Sequence, residues 1–114
     1  MQESKETIVS HAYDLLKTAI PLLNTFPRNY KFTLGDRIQN HLTELLEALI
    51  EALYLPAAEK KPLLQKINIR LEKIRYLFRL GFELGLYTSL KYNEFARRID
   101  TIGRMLGGWI KALK

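Results

Sequence analysis

Apolar side chains recur at every third or fourth position through almost the whole chain, and the rhythm breaks at three places, which predicts four amphipathic helices. The first spans residues 4–26, with Ile8, Ala12, Leu15, Ala19 and Leu23 facing inward and Pro21 expected to kink or tighten its last turns. A polar connector, 27–32, then delivers Thr33, whose hydroxyl is placed to cap the second helix while Asp36 favours its first-turn dipole. That helix continues through Ile38, Leu42, Leu45, Leu49, Ile50 and Leu53 to Leu55, ahead of Pro56. Pro62 is comfortable only in a first turn, so the third helix starts between Ala57 and Leu63 and runs to Leu86, with Leu64, Ile67, Leu71, Ile74 and Phe78 as its seam. The fourth starts at Ser89 or Lys91 and carries Phe95, Ile99, Ile102, Leu106, Trp109, Ile110 and Leu113. Short connectors between four such helices predict an all-α, antiparallel up-down-up-down four-helix bundle, with residues 1–114 as one domain.

Helix three carries more apolar surface than one seam uses. On a wheel of about 100° per residue, Ile69, Tyr76 and Leu80 cluster nearly opposite the seam, and Leu77 and Leu84 widen the strip. Gly81 and Gly85, four apart, are expected to let another helix approach closely. Contiguous exposed apolar patches mark interfaces, so Ile69, Tyr76 and Leu80 form the predicted surface of a homo-oligomer. The alternative is that helix three is a central helix touched on two sides by its own neighbours.

Charge is as unevenly spread as hydrophobicity. The net charge is +6, but residues 1–57 carry −2 and residues 58–114 carry +8. A concentration of cations favours polyanions through counterion release, and acidic proteins are attracted by the same charge. Lys66, Arg70 and Lys73 share one side of helix three, Arg75 and Arg79 another, and Lys60 and Lys61 add charge at its start. Arg97, Arg98 and Arg104 extend the stripe onto helix four, with Lys111 beyond. The predicted nucleic-acid-binding set is Lys66, Arg70, Lys73, Arg75, Arg79, Arg97, Arg98 and Arg104, making phosphate contacts that fix affinity without reading sequence. Tyr76, Tyr87 and Tyr92 are candidates for stacking on bases or for packing.

Catalytic and metal chemistry find little to stand on. The absence of cysteine excludes thiol nucleophiles, thiolate metal sites and disulfides. A di-iron bundle needs paired Glu-x-x-His motifs, and the nearest match, His41-Leu42-Thr43-Glu44, is reversed and occurs once. His11 and His41 therefore read as ordinary helix residues. Glu44, Glu47 and Glu51 share a face of helix two and read as solvated or paired with basic neighbours. The glycines at 103, 107 and 108 follow no strand and precede no Lys-Ser/Thr, so they form no phosphate loop. No enzyme, cofactor or metal is expected. The polar start, 1–6, and the lack of a membrane-length apolar run predict a cytoplasmic protein without a membrane or small-molecule substrate role.

Two segments resemble a known family. Phe26-Pro27-Arg28 followed by Phe32-Thr33-Leu34-Gly35-Asp36-Arg37-Ile38 is similar to the signature joining helices one and two in the four-helix-bundle family. That family includes proteins encoded by intervening sequences of 23S ribosomal RNA genes and the Avd (accessory variability determinant) proteins of diversity-generating retroelements. The C-terminal Ile102-Gly103-Arg104-Met105-Leu106-Gly107-Gly108-Trp109-Ile110 looks more like the Avd branch. The resemblance implies a homopentamer of four-helix protomers that performs no chemistry, binds RNA or DNA, and associates with the element's reverse transcriptase during mutagenic retrohoming. In the first motif, Pro27 and Gly35 are expected to shape the turn, Phe26 and Phe32 to plug the bundle end, and Arg28 and Arg37 to pair with Asp36 or carbonyls. The alternative readings are an intervening-sequence-type protein of the same fold, and a structural oligomer whose basic strips meet acidic protein partners.

Overall fold

The computed structural model describes the backbone of residues 2–113 and the side chains of residues 7–113. The two chain ends, and the side chains of the polar start read above, lie outside the described residues. Four long helices carry the fold: α1 (Gln2–Leu23), α2 (Asp36–Tyr54), α3 (Ala57–Glu83) and α4 (Ser89–Ala112). Each packs against the next and α4 closes back on α1, so the predicted antiparallel bundle is the observed one. Among the described residues there is no strand, and the molecule measures 45 × 24 × 19 Å. Its long axis is set by α3, whose 27 residues rise about 40 Å at ~1.5 Å each.

The core is wholly apolar among the described residues and follows the seams the sequence marks. Ile8, Leu15, Leu42, Leu45, Leu64, Leu71, Ile74, Ile99 and Leu106 are buried, and Phe78 stacks on Phe95 with ring centres 4.8 Å apart. Ile50, expected in line with the core, instead stands 41% exposed, and Ala52 takes the inward place. The reason is angular: position 52 lies three residues beyond Leu49 on the same stripe, whereas 50 is turned about 100° away.

Helix boundaries differ from expectation where backbone chemistry overrides the pattern. Thr33 does not cap α2: its hydroxyl donates to the Asn29 carbonyl at 3.0 Å. The chain is already helical there, because Arg28–Tyr30 form a turn after extended Pro27, and Lys31–Gly35 form a wide π-turn that runs straight into α2. Gly35 sits in ordinary right-handed helix, and a Cβ there would meet Phe26 and the Tyr30 carbonyl at 3.5 Å, a normal contact. Glycine is therefore not what shapes this turn. Phe26 does plug the bundle end, but Phe32 is 60% exposed and lies under the Lys31 ammonium, 5.7 Å from its ring centre. Neither Arg28 nor Arg37 forms an ion pair with Asp36 among the described residues.

At the other end of α2, Leu55 is extended, as the residue before a proline must be, and Pro56 opens α3. Pro62 consequently falls in the second turn, not the first. It is tolerated because that face is solvent-exposed, so the carbonyl left without an N–H can meet water. The Lys60 ammonium reaches back to the Leu55 and Leu53 carbonyls at 2.6 and 3.4 Å, closing the α2 C-terminus.

The end of α3 comes at Glu83 rather than Leu86, and it is set by Gly85. Its φ of +79° lets the Gly85 N–H donate to the Phe82 carbonyl at 2.9 Å and the Leu86 N–H to Gly81 at 3.0 Å, the paired bonds of a Schellman cap. The chain then turns Tyr87 back over Gly81, where a Cβ would lie 2.9 Å from the ring. The two glycines thus serve a cap and an internal tyrosine, and do not admit a neighbouring helix. Thr88 caps α4, accepting from the Lys91 N–H at 3.2 Å.

Candidate nucleic-acid interface

The outward face of α3 is the first element of the site. Ile69, Tyr76 and Leu80 are 59%, 63% and 45% exposed, and Leu84 is exposed beside them. Leu77 is half-buried and packs on the core. The neighbouring helices of the same protomer therefore leave this strip in water, unlike the apolar seam on its opposite side.

The eight predicted cations differ in their surroundings, some paired with acids and others not. On the side of α3 facing α4, Arg75 is hydrogen-bonded to both Glu72 (3.1 Å) and Asp100. Burial works against its charge, but these two carboxylates outweigh that and hold its pKa above the ordinary range. Arg79 pairs with Glu83 at 2.9 Å, which likewise raises its pKa. Two arginines there meet three acids, so this side has no spare positive charge. On α4, Arg98 lies 3.6 Å from Glu94, which Lys91 also reaches at 3.5 Å, and the Arg98 Nε is buried. Arg104 donates to the Thr101 hydroxyl at 3.4 Å, and among the described residues Arg104, Arg97, Lys66 and Lys73 have no ion pair. Lys60, engaged in capping α2, is no longer a free cation.

The side of α3 facing α2 is different. An open cleft of about 280 Å³ lies between the two helices, lined by Arg37, Asn40, His41, Glu44 and Arg70. The spacing Arg37, Asn40, His41, Glu44 puts all four on one side of α2, and antiparallel packing brings them opposite Arg70. Arg70 Nη1 forms an ion pair with Glu44 Oε1 at 2.7 Å and donates to His41 Nδ1 at 2.7 Å. Accepting at Nδ1 fixes His41 as the neutral tautomer with its proton on Nε2. Burial, then Arg70 and Arg37, and more weakly Lys73, push the His41 pKa below its ordinary 6.5, with Glu44 alone pulling the other way. His41 thus reports a positive potential in the cleft that one carboxylate does not cancel.

The sequence puts Arg70 on one side of helix three with Lys66 and Lys73, but does not join Arg37, Asn40 and His41 to it. Their i, i+3 and i+4 spacing was available as a signal. What the sequence lacked was the register of α2 against α3, which turns a histidine and an arginine on one helix into partners of an arginine on the other.

With this geometry in hand, comparison with known proteins is decisive at the level of family. The bAvd-like family profile matches residues 6–113, nearly the full chain. The chain belongs to the bAvd-like family. A search of curated proteins finds no match. The bAvd-like assignment agrees with the motif resemblance and with the four-helix architecture, and Avd-like proteins form a non-catalytic accessory family. No helix among the described residues is long and apolar enough to cross a membrane, and no cluster of three His, Asp or Glu is placed to hold a metal ion.

Proposed function

We propose that the chain is the non-enzymatic accessory protein of a diversity-generating retroelement, holding template RNA or its cDNA near the element's reverse transcriptase during mutagenic retrohoming. The observation that carries the reading is the coincidence of a bAvd-like chain with cations that no carboxylate matches among the described residues: Lys66, Lys73, Arg97 and Arg104. The exposed strip Ile69, Tyr76 and Leu80 supports assembly of several protomers, a pentamer in this reading, which would multiply the phosphate contacts available to one nucleic acid.

Counterion release gives the test a number. Four phosphate contacts per engaged protomer predict a log-affinity slope against log salt of about −3, or a loss of about 60-fold between ~50 and ~200 mM monovalent salt. A filter-binding titration of structured RNA at several salt concentrations should show this. Affinity indifferent to salt, or unchanged when Lys66, Lys73, Arg97 and Arg104 are reversed to Glu, would remove the basis of the reading. Co-purification with the reverse transcriptase encoded beside the gene tests the second partner.

A further inference from the structure

Among the described residues, groups from two helices line open polar clefts both between α3 and α4, where Arg75 and Arg79 are matched by Glu72, Asp100 and Glu83, and at one further place where cations outnumber acids. That place is the α2–α3 cleft, and nothing in the fold requires its composition. Core helices pack without it, and Arg37, Asn40 and His41 contribute no buried apolar area to the seam. A cleft with purely structural duty would match Arg70 to Glu44 and stop there. Here a second arginine, an amide and an imidazole are added around the same pair, with Lys66 and Lys73 on the adjoining turns of α3.

We propose that this cleft is a phosphodiester-binding site, in which Arg37, Asn40, His41 and Arg70 receive one backbone phosphate of a nucleic acid and Glu44 is the internal counter-ion that the phosphate displaces. The proposal rests on the nucleic-acid-binding reading above and specifies its seat. Arg70 is more than two-thirds covered, whereas Glu44 is 55% exposed, so the carboxylate is the partner free to swing away. A pair whose carboxylate stands in water is worth little, roughly 0.2–1 kcal/mol. An arginine fork on phosphate gains a charge-assisted, two-pronged contact in its place. Asn40 adds amide donors, and His41 offers Nε2–H while neutral and a full positive charge when protonated.

The cleft also couples binding to protons. The charged groups facing His41 are Arg37 and Glu44 on α2 and Arg70 and Lys73 on α3. Burial, together with three cations against one anion, lowers the His41 pKa in the free protein. A bound phosphodiester, itself fully ionised at every relevant pH, brings a negative charge within hydrogen-bonding reach of the imidazole and so favours the imidazolium. By linkage, binding must then tighten as pH falls through the His41 titration. Arg70 gives up its bond to Nδ1 in that state and turns wholly to the phosphate.

The test uses the full-length protein and a fluorescently labelled oligouridylate, followed by anisotropy. Arg37→Ala and Arg70→Ala should each weaken binding by about tenfold or more and flatten the salt slope by about one unit. Loss of a contact can be confused with loss of fold, so Glu44→Gln is the sharper variant. It should strengthen binding by about two- to fivefold, the worth of the pair it abolishes. Asp14→Asn on the exposed face of α1 changes net charge equally and should give a smaller gain. Lowering pH from about 7.5 to about 5.5 should tighten binding by the native protein, and His41→Gln should remove most of that dependence. Glu44→Gln no tighter than Asp14→Asn, or full affinity in both arginine variants, overturns the cleft proposal. If binding in that case still falls with salt and with charge reversal at Arg97 and Arg104, the broader function survives. A native protein that binds no nucleic acid ends both.

Discussion

Tyr87 shows how much of this fold turns on single atoms. Its hydroxyl donates to the Phe78 carbonyl, and its ring lies near-parallel to Phe26 at 6.2 Å and edge-on to Phe78 at 6.5 Å. Burial of the phenol pushes its pKa up, so the group stays a donor. The ring occupies the space a side chain at position 81 would need. Gly81→Ala is therefore expected to destabilise by about 1–3 kcal/mol, since an aromatic ring anchored at its tip cannot retreat freely. Gly85→Ala meets no atom but must hold a φ of +79°, costing about 1 kcal/mol for a different reason. Chemical denaturation distinguishes them. The Gly81 penalty should shrink in a Tyr87→Leu background, while the Gly85 penalty should persist.

Among the elements, the α2–α3 junction decides which lysines are available to a partner. Lys60 and Lys61 are adjacent in sequence and equivalent in charge, yet only Lys60 reaches the terminal carbonyls of α2. Lys60→Met keeps the aliphatic stem and removes the cap, so it should cost about 0.5–1 kcal/mol, with Lys61→Met near zero in the same thermal or denaturant measurement. Equal effects from the two would mean the cap contributes nothing. The π-turn at Lys31–Gly35 matters at this scale too, because it carries the backbone into α2 without a break. Arg37 and His41 take their angular positions from that continuous start.

The protomer as a whole leaves an apolar face in water on α3, opposite its seam, which supports self-association as a property of the molecule rather than of any one residue. Tyr76→Glu combined with Leu80→Glu should reduce the particle to a single folded chain by light scattering, with helical content unchanged by circular dichroism. A native protein that is already a single chain in solution would remove the strip from the interface. Oligomer formation and nucleic-acid affinity are linked in the proposed function, so the same double variant should also lose affinity, through fewer phosphates engaged at once.

The chain's periodicity determined four helices, their order and nearly all of their buried positions, because a 3.6-residue stripe is a local property that any partner helix must respect. It also showed a surplus of apolar and basic side chains on helix three, since a wheel needs no neighbour. The ends of helices were less legible: Thr33 and Gly85 took roles set by hydrogen bonds to backbone carbonyls three or four positions away, and Pro62 fell in a second turn because Pro56 opens the helix. The site itself was split. Among the described residues Lys66, Lys73, Arg97 and Arg104 have no ion pair, but Arg75 and Arg79 are matched by acids that packing or the next helical turn supplies. Only the tertiary structure could decide that, and only it could set His41 beside Arg70, 29 residues along the chain. Charge in a sequence is a count, whereas the potential at a surface depends on which opposite charge lies within a few ångströms, and that distance is fixed by the register of one helix on another.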